Sequence, residues 1–226
     1  MSRCASQLCV HKKYKFMLSA AKENILKKIR EALSNPVPLP FAESEGTQSV
    51  FKPATEDDAI VFAEEFTKLG GQFSFCESEA EMLQQLAGLL QQQGWTKIYC
   101  IEPAFVKYLQ QLGIEPYNDL ADCDVAITGC EYLVARTGSM VLSSAEMSGR
   151  TVSVYAPVHI CIAGNSQLLY DVKDALSFLK EKYKDGFPSF VTFATGPSRT
   201  ADIEKTLVTG VHGPKEVYCF LVEHGF

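Results

Sequence analysis

One stretch of the chain, residues 194–214, combines tight-turn residues with side chains that bind or activate anions: ATGPSRTADIEKTLVTGVHGP. Arg199 stands outside any apolar stripe or charge run, and a guanidinium can hold a carboxylate or a phosphate with two hydrogen bonds. His212 lies between two glycines, where it could act as a general acid or base or simply contact an anion. The stretch therefore predicts an anion pocket.

The first half of this stretch indicates how that pocket is built. We expect a strand to end at Gly196, Pro197 to fix the turn, and Ser198 or Thr200 to cap a helix that begins near Ala201. The acidic residues that follow would suit the positive end of such a helix. Donors from the turn and from the helix N-terminus would then face the same anion.

A second candidate lies in TGCEYLVARTGS, residues 128–139. The turn formed by Thr137, Gly138 and Ser139 could present backbone N–H groups to a phosphate or a carboxylate, or could be an ordinary hairpin turn. Glu131, just after a predicted strand, is a candidate base. His159, beside a proline in APVHICIAG, is either a further ligand contact or a hydrogen-bonded core or turn residue.

These candidates depend on the elements around them, because open α/β sheets bind ligands at the carboxyl ends of their strands. From Asp57 onwards, helices and strands alternate, which favours a largely parallel sheet. The alternation breaks at SMVLSS, RTVSVYAP and VHICIAG, which resemble short strands without helices between them. A helix over 167–184 and the strands SFVTFATG and EVYCFLVE complete one α/β domain with a mixed sheet and helices on both faces.

The chain divides into three predicted regions. Residues 1–17 lack a clear period and are expected to form a flexible tail, and 18–55 to form an amphipathic helix followed by a Pro-rich arm. The single α/β domain is expected to span 56–226. Because the helix has an apolar face, the arm is a candidate for docking on a partner or on a second copy of the chain.

Composition excludes several classes of function. The formal net charge of −6 over 226 residues lacks the basic character that nucleic acids and anionic membranes select. No apolar run approaches the roughly 20 residues of a membrane-spanning helix, and the N-terminus lacks the apolar core of a signal peptide. We therefore expect a cytoplasmic protein.

The eight cysteines contain no CxxC pair, the usual starting point of a zinc or iron–sulfur site. Most of them fall in apolar, strand-like runs, where a reduced cysteine behaves as a small hydrophobic residue. Cys123 and Cys130, which bracket one predicted strand, are the only pair that suggests redox chemistry. No metal site is expected in this chain.

Taken together, TGCEYLVARTGSMVLSS, APVHICIA and GPSRTADIEKTLVTGVHGP resemble the LUD-domain family over roughly residues 18–224. The resemblance implies a fold similar to the sugar-phosphate isomerase and coenzyme A transferase group. That fold is a three-layer α/β/α domain with a mixed, mostly parallel sheet. The alternation of helices and strands agrees with it.

The resemblance also implies a function: a component of a cytoplasmic system that oxidises L-lactate to pyruvate beside iron–sulfur partner subunits. This chain would hold no cofactor and would bind a small carboxylate or a phosphate-bearing ligand. Two alternatives remain open. One is an isomerase or acyl-transfer enzyme with Glu131 or His212 as base and Arg199 as clamp, and the other is a non-catalytic scaffold. No GxGxxG, serine elbow or HExxH motif supports other enzyme classes.

Overall fold

The computed structural model describes residues 22–34, 56–201, 207–210 and 212–224. The helices, in chain order, are α1 (22–34), α2 (Asp58–Lys68), α3 (Glu79–Gln93), α4 (Pro103–Gln111), α5 (Val152–Tyr155) and α6 (Val172–Lys182). The strands are β1 (Gln72–Ser78), β2 (Ile98–Tyr99), β3 (Val125–Thr128), β4 (Tyr132–Val134), β5 (Ser139–Ser143), β6 (Val158–Gly164), β7 (Leu168–Leu169), β8 (Val191–Ala194), β9 (Arg199–Ala201), β10 (Leu207–Thr209) and β11 (Glu216–His224).

The chain separates into two units, Met1–Lys52 and Pro53–Phe226. In the first unit, α1 agrees with the predicted amphipathic helix, and its Ile25, Ile29 and Leu33 are exposed. The predicted tail over 1–17 and the Pro-rich part of the arm lie outside the described residues. The three domain boundaries therefore stay predictions.

The second unit is built on a five-stranded sheet in the order β1-β11-β6-β3-β2, in which every neighbouring pair is parallel. Because all strands run the same way, their carboxyl ends share one edge and their amino ends the other. We call these the carboxyl edge and the amino edge. The register sets Cys161 of β6 opposite Cys219 of β11 and His159 opposite Ala126.

Helices α3 and α4 cover one face of this sheet with a continuous apolar core. Met82, Leu86 and Leu109 are fully buried there, each removing an apolar side chain from water. The boundaries follow local chemistry. Ser78 accepts a hydrogen bond from the N–H of Glu81 and caps α3, Gly94 ends α3 with a left-handed conformation, and a proline opens α4.

The other face packs against α2, through Phe62 and Phe66, and against a smaller mixed sheet ordered β7-β4-β5-β8. Helix α6 packs against that sheet and buries Ala175 and Leu179 there. The domain is thus a three-layer α/β structure with a parallel central sheet and a smaller mixed sheet, which confirms the predicted fold class. No helix in the described part is long and apolar enough to span a membrane.

Three local predictions were wrong. RTVSVYAP contains the short helix α5 rather than a strand, with Val152 and Ala156 buried against Ala126 of the parallel sheet. The long helix begins at Val172 instead of residue 167, because Asp171 accepts a hydrogen bond from the N–H of Lys173 and caps it there.

The third error concerns the helix expected near Ala201. Residues Arg199–Ala201 form β9, which pairs antiparallel with β10. Thr200, Val208 and Thr209 are β-branched and favour strands, and pairing across the hairpin outweighs the helix-start pattern. No helix N-terminus therefore lies at residues 199–201, and 202–206 lie outside the described residues.

Candidate functional site

The TGS turn meets the end of β8 through hydroxyl groups. The Ser139 hydroxyl lies 2.8 Å from that of Thr137 and 2.9 Å from that of Thr195, the residue before Gly196. Ser139 is buried in this chain of hydroxyls. The structure thus brings together two of the predicted ligand-binding segments.

The glycine of the TGS turn has a packing role. Gly138 has a φ of 56°, and a Cβ at this position would lie 2.5 Å from the backbone nitrogen of Phe66 in α2. Gly196 similarly has a φ of 74° and approaches the carbonyl of Leu69. Both glycines allow turns to contact the end of α2, which explains them without a ligand.

Arg199 also contacts the end of α2. Its Nη2 donates a hydrogen bond of 2.5 Å to the carbonyl oxygen of Leu69, the residue that ends the helix. A cation is favoured there because helix carbonyls carry partial negative charge. The guanidinium is exposed, and Leu69 gives Arg199 a structural partner that the sequence did not reveal.

The loop that carries His212 lies against the GPSR segment. The N–H of Ser198 donates to the carbonyl of Pro214 over 2.9 Å, and the N–H of Gly210 donates to the carbonyl of Ser198 over 3.0 Å. A cavity of about 420 Å³ opens beside these loops. Its lining residues are Val154, Tyr155, Pro157, Gly210, His212, Gly213 and Lys215.

Sequence reasoning missed Lys215, although it directly follows the GVHGP motif. Its N–H donates to the carbonyl of Pro157 over 2.8 Å. Its stem fills the space beside Gly210, where a Cβ would lie 2.2 Å from the Lys215 Cγ. Within the described ranges, neither Lys215 nor His212 forms an ion pair. Lys215 and His212 thus both line the cavity, and Lys215 brings to it an ammonium that pairs with no carboxylate of the described residues.

This cavity lies at the amino edge of the parallel sheet, since Pro157 precedes β6 and Lys215 precedes β11. Leu69, which binds Arg199, likewise precedes β1. The expectation that the GPSR and GVHGP segments lie at the carboxyl edge of the parallel sheet was wrong. The strand before GPSR is β8, which belongs to the small sheet.

Glu131 lies at the carboxyl edge, after β3, and is only 2% exposed. Its carboxylate accepts hydrogen bonds from the Lys182 ammonium at 2.7 Å, the Ser143 hydroxyl at 2.5 Å and the Tyr183 hydroxyl at 2.7 Å. Burial alone would raise the pKa of Glu131, but these three donors together lower it. Glu131 and His212 occupy opposite edges, so they do not form one catalytic pair.

Two further glutamates lie near Glu131. Glu102 accepts hydrogen bonds from the N–H of Gly129 at 3.0 Å and from the Ser148 hydroxyl. Burial and the charge of Glu131 raise the pKa of Glu146, which lies 3.9 Å from Lys182. In the described part of the chain, no group of three or more His, Cys, Asp or Glu side chains is arranged to hold a metal.

His159 is buried, with 1% of its surface exposed. Its Nε2 lies 2.8 Å from the Thr128 hydroxyl, which itself donates to the carbonyl of Gly129. Since a hydroxyl has one proton, the Nε2–H of His159 is the donor in this pair. Burial lowers the pKa of His159 to about 4. This geometry favours the core-residue interpretation. Thr200 belongs to β9, and its side chain is outside the described part.

The six described cysteines are all free and buried: Cys76, Cys100, Cys123, Cys130, Cys161 and Cys219. Cys123 and Cys130 belong to separate core clusters, and the Cys130 thiol contacts that of Cys161 instead. The structure thus does not pair the two cysteines that bracket β3.

We expect these six thiols to resist a thiol reagent at neutral pH and to react fully only on unfolding. Burial raises the pKa of Cys76 and Cys100 to about 11, so few thiolates form. Counting reactive thiols in native and denatured protein checks this, together with metal analysis, which should find no stoichiometric zinc or iron. Rapid native modification of Cys161 would contradict it.

The family described as the LUD domain matches residues 60–222. Lactate utilization protein C of Bacillus licheniformis is 35% identical over 113 residues, 49% of this chain and 47% of that protein. Lactate utilization protein C of Geobacillus thermodenitrificans is 29% identical over 201 residues, 77% of this chain and 82% of that protein. The match with the first of these relatives thus spans about half of its length.

A solved structure has the same fold. A DUF162 family protein from Deinococcus radiodurans superposes with a TM-score of 0.56 at 19% sequence identity, covering 74% of this chain and 99% of that one. At this identity the likeness concerns the fold alone.

Proposed function

Since the chain belongs to the LUD-domain family, we propose that it acts in the cytoplasm as a component of L-lactate utilisation, the oxidation of L-lactate to pyruvate. The observation that carries this proposal is the family match over residues 60–222, together with relatives named Lactate utilization protein C. The motifs of the anion pocket fall inside that matched range. The proposal therefore concerns the α/β domain.

Within that system, we propose that the cavity beside His212 and Lys215 binds a carboxylate or a phosphate-bearing ligand. Lys215 supports this, because its ammonium lines the cavity without an ion pair in the described part of the chain, and an ammonium favours an anionic ligand. Arg199 is proposed to assist through the guanidinium N–H groups that Leu69 does not use. The oxidation also needs an electron acceptor. We propose iron–sulfur partner subunits for that role, because the described thiols of this chain belong to its apolar core.

The alternative of an isomerase or acyl-transfer enzyme with Glu131 as base has less support. The Glu131 carboxylate already accepts hydrogen bonds from one ammonium and two hydroxyls. It lies at the carboxyl edge of the parallel sheet, whereas the cavity lies at the amino edge. A non-catalytic scaffold remains consistent with the fold and is distinguished by the experiment below.

We expect this chain to restore growth on L-lactate to a Bacillus subtilis strain that lacks its own Lactate utilization protein C, a protein 35% identical over 112 residues. Lys215→Met should restore growth only slowly, because the cavity loses its cation. Lys180→Met, a matched change at an exposed lysine of α6, should behave like the wild type.

Growth rates are compared at equal levels of soluble protein. If the wild-type chain accumulates without supporting growth, the proposed role is wrong. If Lys215→Met supports full growth, the scaffold alternative is favoured over ligand binding.

A further inference from the structure

We propose that the cavity beside His212 and Lys215 binds an organic anion with an aromatic body, larger than lactate itself. The anionic head would lie at His212 and Lys215, and the ring would lie against Tyr155 and Val154. This inference rests on the anion-binding part of the proposed function and adds the class of ligand. It does not depend on the lactate pathway.

The cavity is held together by backbone hydrogen bonds between segments that are distant in sequence. Ser198 is bonded to Pro214 and to Gly210, and Lys215 is bonded to Pro157, the residue that follows α5 and its C-cap. Gly213 lies against Ser198, where a Cβ would come within 2.9 Å of the serine Cβ. These contacts fix the two walls of the cavity relative to each other, so the site is preformed.

One wall carries the positive charge. Lys215 is exposed, its stem packs beside Gly210, and no carboxylate of the described residues lies within salt-bridge distance of it. His212, on the same loop, adds a ring N–H that can donate a hydrogen bond. An anionic head group is the chemistry that satisfies both side chains.

The part of the lining contributed by α5 is apolar and unusually exposed. Tyr155 is 68% exposed and Val154 is 43% exposed, although both belong to α5, whose Val152 is buried in the core. An exposed aromatic ring beside a cavity offers a stacking surface, and aromatic contacts add affinity beyond the area they bury. Lactate has a carboxylate for the first wall but no group that would reach this one.

The size of the cavity supports the same conclusion. At about 420 Å³, it falls within the range of roughly 300–1,000 Å³ that is usual for small-molecule sites. Lactate, with only a methyl group beyond its polar atoms, would leave most of that volume to water. A ligand that carries a ring and an anionic head would fill both ends.

The test is calorimetric titration of the full chain with four probes: L-lactate, 3-phenyllactate, phenyl phosphate and the neutral 3-phenylpropane-1,2-diol. We expect 3-phenyllactate to bind at least about tenfold more tightly than L-lactate, since burying a ring contributes more than one decade of affinity. The diol should bind far more weakly than either ring-bearing anion. The comparison of phenyl phosphate with 3-phenyllactate distinguishes a phosphate head from a carboxylate head.

Two variants test the aromatic contact and the anion contact separately. Tyr155→Ala should abolish the advantage of 3-phenyllactate over L-lactate, whereas Phe187→Ala, a change at an exposed aromatic residue outside the cavity lining, should keep it. Lys215→Met should weaken every anion by about tenfold and leave the diol unchanged.

Equal affinities for L-lactate and 3-phenyllactate, or an advantage that survives Tyr155→Ala, would overturn the aromatic-body inference while leaving anion binding intact. Failure of Lys215→Met to weaken the anions, or no binding of any probe at millimolar concentration, would overturn the site itself. Neither result affects the growth test on L-lactate with the wild-type chain, so the two proposals fail separately.

Discussion

Replacing Glu131 by glutamine is expected to lower the free energy of unfolding by about 3 kcal/mol, the upper end of the usual range for hydrogen bonds to a charged group, because this buried carboxylate accepts several of them. The carboxylate is buried and accepts from Lys182, Ser143 and Tyr183. An amide keeps the volume but loses the charge, and it presents an NH₂ group where the site needs acceptors. For a domain of this size the melting temperature should fall by about 6–12 °C.

Urea denaturation of both proteins measures this change. Glu181→Gln is the matched control, because Glu181 is exposed and lies beside Lys182 in the sequence. Lys182→Met, and the double variant with Glu131→Gln, give the coupling energy between the two side chains. An unchanged melting temperature for Glu131→Gln would show that the contacts of this carboxylate do not stabilise the fold.

The second large effect concerns His159, whose neutral ring should make the protein sensitive to mild acid. Its pKa is about 4 in the folded state against 6.5 when unfolded, so between these values the unfolded chain binds more protons. His159 therefore does not reduce the free energy of unfolding above about pH 6.5, and it reduces that free energy increasingly as the pH falls towards 4. At pH 5 the expected loss relative to neutral pH is about 2 kcal/mol, or roughly 5 °C in melting temperature.

His159→Gln should remove most of this decline, because glutamine can still donate to Thr128 and does not titrate. Melting curves at pH 7 and pH 5 for the wild type, this variant and His212→Gln provide the measurement. His212 is exposed, so its replacement should leave the pH dependence intact. The lowered pKa of Glu131 acts mainly below pH 4.5, outside this window. An equally steep decline in His159→Gln would contradict the assignment.

The sequence pattern predicted the central sheet because its signals are local. Alternating apolar residues, Ser78 before α3 and Gly94 after it are each interpretable within a few positions. The errors arise where distant pairing decides. Arg199–Ala201 contains residues that can cap a helix, but its hydrogen bonds to β10 make it a strand. RTVSVYAP is rich in residues that favour strands. It nevertheless forms the short helix α5, whose Val152 packs against the parallel sheet.

The candidate site shows the same limit. The stretch of residues 194–214 was predicted to form one pocket, and backbone hydrogen bonds do join Ser198 to Gly210 and to Pro214. Arg199 could not be interpreted from its neighbours, since its partner Leu69 is 130 positions away. Glu131 followed a strand at the expected edge, but nothing nearby in sequence revealed Lys182 as its partner. Lys215 was the signal that could have been found, because it stands next to a motif already identified.

The position of β11 has a consequence for biosynthesis. This strand lies between β1 and β6, yet it follows both in the chain, and β1 precedes it by more than a hundred residues. During synthesis, β1 cannot pair with its neighbouring strand until the residues of β11 have left the ribosome. The sheet therefore cannot close progressively from the first strand onwards. Until then both edges of β1 are unpaired and are available for pairing with other nascent chains.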